Sequence, residues 1–242
     1  MPNDFWFIFG KWVKERGPEA PLYALTYDLL FATPVVNTLL RKLGAIPANA
    51  ANARRALGAG APVLVFPGGD HEVFRPWSER NRIDFGGRTG FIKLALTTRV
   101  PVVPVTIHGA HESTFTVTRG RRLAKWLGLN ALHIGVLPLV WNVPLGITPA
   151  YVPSLPLPSK VTIQFGAPLD WSRFYRQADN PEVQRHCYEE ITARMQATLD
   201  RLARARPSPI LSRLDELRPA RLFHLPSLWA AAPRRRTPRH RL

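Results

Sequence analysis

The stretch PVLVFPGGDHE, residues 62 to 72, decides how the chain reads. Val63, Leu64, Val65 and Phe66 are apolar with no polar alternation, the pattern of a strand buried on both faces. Such strands belong to parallel sheets covered by helices. Pro67 ends the run, and Gly68 and Gly69 bend the chain ahead of Asp70, His71 and Glu72. Ligands of parallel sheets gather beyond the carboxyl ends of the strands. Glycines there let backbone N–H groups come close to a phosphate or a carbonyl oxygen. The stretch reads as a strand end and the rim of a site.

The same grammar continues on both sides. RTGFIKLALTTR (88 to 99) reads as a helix with Phe91, Leu94 and Ala95 on one face. VPVVPVTI (100 to 107) is a second buried strand, with Pro104 placing it near an edge or a bulge. As a neighbour of the first strand, it would deliver His108, Gly109, His111 and Glu112 to a common rim. Upstream, residues 4 to 16 read as an aromatic helix with Asp4 in its first turn. Residues 26 to 42 form an amphipathic region interrupted at Pro34, and a short helix capped by Asn49 or Asn52 follows. Downstream, 132 to 141 and 160 to 166 are strand candidates. Residues 181 to 204 form the clearest helix, with Val183, Cys187, Ile191, Met195 and Leu199 repeating every four. Helix and strand in alternation predict an α/β fold, a mostly parallel central sheet flanked by helices.

Composition sets the outer bounds. At 242 residues with 45% hydrophobic content, the chain can build one sizeable domain and is not globally disordered. The expected division is a domain over residues 1 to 205 and a basic, disordered tail over 206 to 242. The net charge is +16, and residues 201 to 242 carry eleven arginines against Asp215 and Glu216. A basic surplus attracts anionic lipid, nucleic acid or anionic substrates. Codon composition alone also produces an arginine excess of 27 over 6 lysines. The single Cys187 forbids an internal disulfide, fits a reducing compartment, and sits at a core position of its helix. No Cys and His cluster has metal-ligand spacing, so no metal site is expected. No apolar run is long enough to span a bilayer.

Some functions are excluded by what is missing. There is no Gly-x-Ser-x-Gly elbow for a hydrolase. The basic residues carry no aromatic interleaving that would suit nucleic acid. Taken singly, FPGG could also be only a tight turn, and a lone His108 after a strand is more often a rim residue than a base. Arg88 at a helix start opposes the helix dipole, so it is either solvated or paired with an anion.

Taken in order, the residues say more. FPGGDHE, then FGGRTGFIKLAL about twenty residues on, then VPVVPV and FGAPLDW, resembles the glycerolipid and lysophospholipid acyltransferase superfamily. The FPGG form with a following glutamate is similar to the branch that contains diacylglycerol acyltransferases. The resemblance covers roughly residues 1 to 172 and implies an acyltransferase. A fatty acyl group would pass from acyl-CoA or acyl carrier protein to a hydroxyl of a glycerolipid or lysophospholipid. Those thioesters are co-substrates, and no bound cofactor is implied. The match assigns Gly68, Gly69, Glu72 and Arg88 to substrate binding, and leaves Asp70 and His71 at variable positions. It gives Asp4 the role of orienting a histidine that acts as general base on the acceptor hydroxyl.

That histidine has no place before Asp4, which only Met1, Pro2 and Asn3 precede. Two expectations follow. Either Met1 is internal to a longer protein that carries the histidine, or the chain is an inactive lipid-binding or scaffolding protein of the same fold. His71, His108 and His111 are possible substitutes that nothing in the sequence singles out. The aromatic first helix, the proline-rich segment 142 to 159 and the arginine tail suit work at a membrane surface, so the expected location is cytoplasmic and peripheral to a membrane.

Overall fold

A computed structural model describes residues 4–32, 34–73, 75–111, 115–118, 120–127, 137–142, 145–149, 159–206, 208 and 210. The expected tail lies almost wholly outside the described residues, as does most of the proline-rich segment. The described part is α/β, built from helices and three small sheets.

The first sheet joins β1 (Tyr23–Thr26), β2 (Ala45–Pro47) and β3 (Val63–Leu64) in the order β2-β1-β3, with both ladders parallel. Between β1 and β2 runs α2 (Pro34–Lys42), and between β2 and β3 runs α3 (Ala50–Gly58). Pro34 opens α2 instead of interrupting a helix, because its fixed φ and missing N–H suit the first helical position. Asn49 caps α3, its side chain accepting from the Asn52 amide. The sequence reading did not foresee β1 or β2. Each is too short, at four and three residues, to develop a periodic signal.

The parallel sheet stops at those three strands. β4 (Val105–His108) pairs antiparallel with β8 (Thr162–Phe165), so it is no neighbour of β3 in a ladder. Two prolines explain why 100 to 104 contributes no longer ladder: Pro101 and Pro104 lack the donor that pairing needs. What remains there is a single bridge between Val102 and Leu169, plus the Pro104 carbonyl accepting from the Gly166 amide at 2.8 Å. The third sheet is antiparallel throughout. It orders β5 (Phe115–Thr118), β6 (Leu139–Asn142) and β7 (Gly146–Pro149), with α6 (Arg121–Trp126) between β5 and β6.

Two helices carry the core. α5 (Gly90–Thr98) and α7 (Pro181–Ala205) pack on one another, and α5 also meets α3. Asn180 caps α7 and Pro181 opens it. Val183, Cys187, Ile191, Met195 and Leu199 are buried, as their spacing predicts, and the first four join Ile92, Leu96, Phe85, Leu169 and Trp171 in one core. Burial pushes the Cys187 thiol up to about 11, helped by the Glu190 charge, so it stays a protonated core residue. α5 shows two faces: Ile92 and Leu96 enter this core, Phe91 and Leu94 line a cavity beside it, and Ala95 belongs to both.

Candidate active site

The FPGG turn follows β3 and starts α4 (Gly69–Val73). The amides of His71 and Glu72 donate to the Gly68 carbonyl, closing the first turn of that helix. Neither glycine admits a side chain. A Cβ on Gly68 would run into the Glu72 side chain. Gly69 has φ +48°, and a Cβ there would lie 2.6 Å from Arg88 Nη1. The family-like spacing of Gly68, Gly69, Glu72 and Arg88 is therefore one packed unit.

Arg88 approaches from the loop before α5. Its Nη1 donates to the carbonyls of Gly68 at 2.8 Å and Pro67 at 3.4 Å. A second tie crosses the same gap: His71 Nε2 lies 3.3 Å from Asp84 Oδ2, and Asp84 Oδ1 accepts from the Gly86 amide at 2.8 Å. The Gly86 amide, with the His71 ring after it, holds the Asp84 carboxyl below its ordinary value of 3.8 against partial burial. These contacts bind the two glycine-rich motifs to each other.

α7 secures the second motif from behind. The amides of Phe85 and Gly87 both donate to the Tyr188 hydroxyl, and the Ile83 amide donates to Gln196 Oε1 at 2.8 Å. Gln196 Nε2 donates back to the Asn81 carbonyl, and the Thr89 hydroxyl donates to Gln184 Oε1. Sequence reasoning missed Asp84, Gln184, Tyr188 and Gln196. The last three recur at multiples of four along α7, one residue beyond Val183, Cys187 and Met195, and that offset was their only signal.

Beside the turn lies a cavity of about 740 Å³. Its wall is largely apolar, with Trp12, Phe66, Phe91, Leu94, Val102 and Met195 among its residues, and Gly69, Glu72, Arg75, Arg80 and His111 add polar groups. Arg75 is only 3% exposed, and its Nη2 donates to Glu72 Oε1 at 3.1 Å. Burying that guanidinium is tolerable because a carboxylate is bonded to it.

His111 contributes a different kind of group. Burial above all lowers its pKa from 6.5 to about 3, with the Arg75 charge a lesser contribution, and its Nδ1 is buried without a hydrogen-bond partner. His108 is also lowered by burial, with Arg206 and Arg80 adding to it, and its Nδ1 has no partner either. Glu112 lies outside the described residues. Asp4 is the first residue of α1 (Asp4–Arg16), which packs against β8.

Residues 4–108 match the model of the Acyltransferase family, a span that runs from Asp4 through both glycine-rich motifs to the end of β4. This match supports a relationship to the glycerolipid acyltransferase superfamily. Uncharacterized proteins of Mycobacterium leprae and Mycobacterium tuberculosis are 34% identical over 194 residues, which is 79% of this chain and 50 to 52% of theirs. An enzyme of Mus musculus named as synthesizing storage lipids independently of DGAT1/2 is 25% identical over 164 residues, 68% of this chain and 48% of its own. The chain thus spans about half the length of these relatives. No solved structure matches.

Proposed function

We propose that the chain transfers a fatty acyl group from a thioester, acyl-CoA or acyl carrier protein, to a hydroxyl of a glycerolipid or lysophospholipid. One observation carries this reading. A largely apolar cavity is lined in part by Pro67 and Gly69 of the FPGG turn, with Glu72, Arg75 and Arg80 among its polar residues. An acyl chain loses water along such a wall at about 0.8 kcal/mol per methylene, while its polar end stays among charged groups. Gly68, Gly69, Glu72 and Arg88 hold and orient the acceptor, their geometry set in advance by mutual contacts.

Asp4 takes the role of orienting the histidine base of the family pattern. None of the described histidines is assigned that step. His108 and His111 are desolvated and weakly basic, and neither His71 nor His186 lines the cavity.

Acyl transfer by the full chain, assayed with thioesters of graded length against lysophospholipid and diacylglycerol acceptors, tests the proposal. Ala95→Leu narrows the cavity and should shift preference toward shorter acyl chains. Glu72→Gln, by loosening the turn, should lower kcat/KM by about 10²-fold. Acyl-chain binding without any transfer would replace this reading by that of an inactive lipid-binding protein.

A further inference from the structure

Ten large apolar side chains are exposed among the described residues, and six of them fall between Val117 and Ile147. Three belong to one hairpin. Trp141 on β6 and Ile147 on β7 are directly paired and therefore share a face, where they are 46% and 62% exposed. Leu145, 60% exposed, sits in the turn between the strands. The alternate residues face inward: Val140 is buried, and Thr116, its partner on β5, is buried too.

α6 belongs to the same unit, because Gly120 just before it lies against the Leu137 carbonyl at the foot of β6. It ends in Trp126, 80% exposed, and Leu127, also exposed. Charge adds an independent observation. From Ser113 to Leu169 there are five basic residues, Arg119, Arg121, Arg122, Lys125 and Lys160, and no acidic one. All 17 acidic residues of the chain lie elsewhere.

We propose that the β6–β7 hairpin and the end of α6 form the surface by which this chain docks on an anionic bilayer. Exposed tryptophans beside aliphatic side chains are suited to the boundary between headgroups and acyl chains. A segment without carboxylates carries no repulsion against an anionic leaflet, and its lysines and arginines are drawn to it. An acidic protein would answer the charge but not the tryptophans standing clear of the surface. The unit also abuts the cavity's polar groups: Phe115 of β5 stacks on Trp77 with centroids 4.7 Å apart, and Arg80, which lines the cavity, lies 4.5 Å from the Trp77 ring centre. Docked there, the bilayer lies next to the candidate site, a placement whose purpose rests on the acyl-transfer reading.

Co-sedimentation of the full chain with phosphatidylcholine vesicles, with and without phosphatidylglycerol, tests the docking itself. Binding should require phosphatidylglycerol, and Trp141→Ser with Ile147→Ser should weaken it about tenfold or more. Trp126→Ser, on a different element, should weaken it in the same direction with an unchanged circular dichroism spectrum. Tyr27→Ser with Leu39→Ser, exposed apolar residues outside the unit, should leave it unchanged. Undiminished binding of the hairpin variant, or no binding of the parent chain, overturns the proposal. A change of oligomeric state on hairpin substitution, with vesicle binding intact, overturns it in favour of contact between copies. Transfer to a water-soluble acceptor without vesicles should survive the hairpin variant, so loss of docking and absence of acyl transfer are read separately.

Discussion

The turn after β3 and the turn after β4 carry the same residue types, glycine, histidine and glutamate, and meet opposite fates. After β3 the polar groups are bonded to one another: Arg88 to the Gly68 carbonyl, His71 to Asp84, Arg75 to Glu72. After β4 the Nδ1 atoms of His108 and His111 are buried without partners. The first turn is a preorganised frame, whose groups are satisfied before any ligand arrives. The second is a desolvated wall, where the imidazoles persist only by staying neutral. Histidines close to one cavity are thus held by different physics, and pH, packing and charge should separate them.

Acid should affect the second turn most. Above pH 6.5 the His111 imidazole is neutral in the folded and unfolded chain alike, and adds no pH dependence. Below that, the unfolded chain takes up a proton that the folded chain refuses until about pH 3. Stability therefore falls with pH, by up to about 1.4 kcal/mol per unit for one such group. His108 acts in the same direction. Urea unfolding midpoints measured from about pH 7 to about pH 5 should fall steeply, and His111→Leu should flatten the slope. An unchanged slope in that variant would show that the imidazole is already solvated, and would break the contrast between the turns.

The frame after β3 should answer to packing instead. Gly68→Ala pushes a methyl group into the Glu72 side chain, an overpacking that costs about 1–3 kcal/mol. Glu72→Gly in the same chain should recover part of the loss, because it removes both the Cβ and the carboxylate that the added methyl group meets. Thermal or urea unfolding of the two variants and their combination measures the coupling. Strict additivity would mean that the turn shifts freely and is no frame.

Much of this was legible in the sequence, and the rest was hidden for definite reasons. The α7 stripe was readable, and the α3 cap could be narrowed to Asn49 or Asn52, because period and cap chemistry are local. The FPGG turn was readable from its glycines, and here residue order carried more than any single motif. β1 and β2 were too short to show a period, and the pairing of β4 with β8 is set by contacts 54 to 60 residues apart in sequence. Asp84 and Tyr188 have roles only because the 80 to 90 loop lies against α7 and α4. His71 was read as occupying a variable position, and the structure gives it a partner thirteen residues away that no spacing rule singles out.

That partner defines the smallest expected effect. The His71–Asp84 pair is partly exposed, at 21% and 33% of the side chains, and pairs of this kind are worth about 0.2–1 kcal/mol. Asp84→Asn keeps an oxygen that can accept from the Gly86 amide and removes only the charge. A double-mutant cycle with His71→Asn should therefore return a few tenths of a kcal/mol, and less as salt is raised. The sign with pH is opposite in origin to a buried neutral histidine. Asp84 holds its proton less tightly in the folded chain, so its contribution is complete above the ordinary value of 3.8 and is lost as pH falls through the lowered one. The acid loss set by His111 begins at 6.5 and that of Asp84 only below 3.8, so the two turns should be resolved on a single pH axis. A coupling as large as the Gly68→Ala cost would make the pair a main brace of the frame, with Arg88 the lesser one.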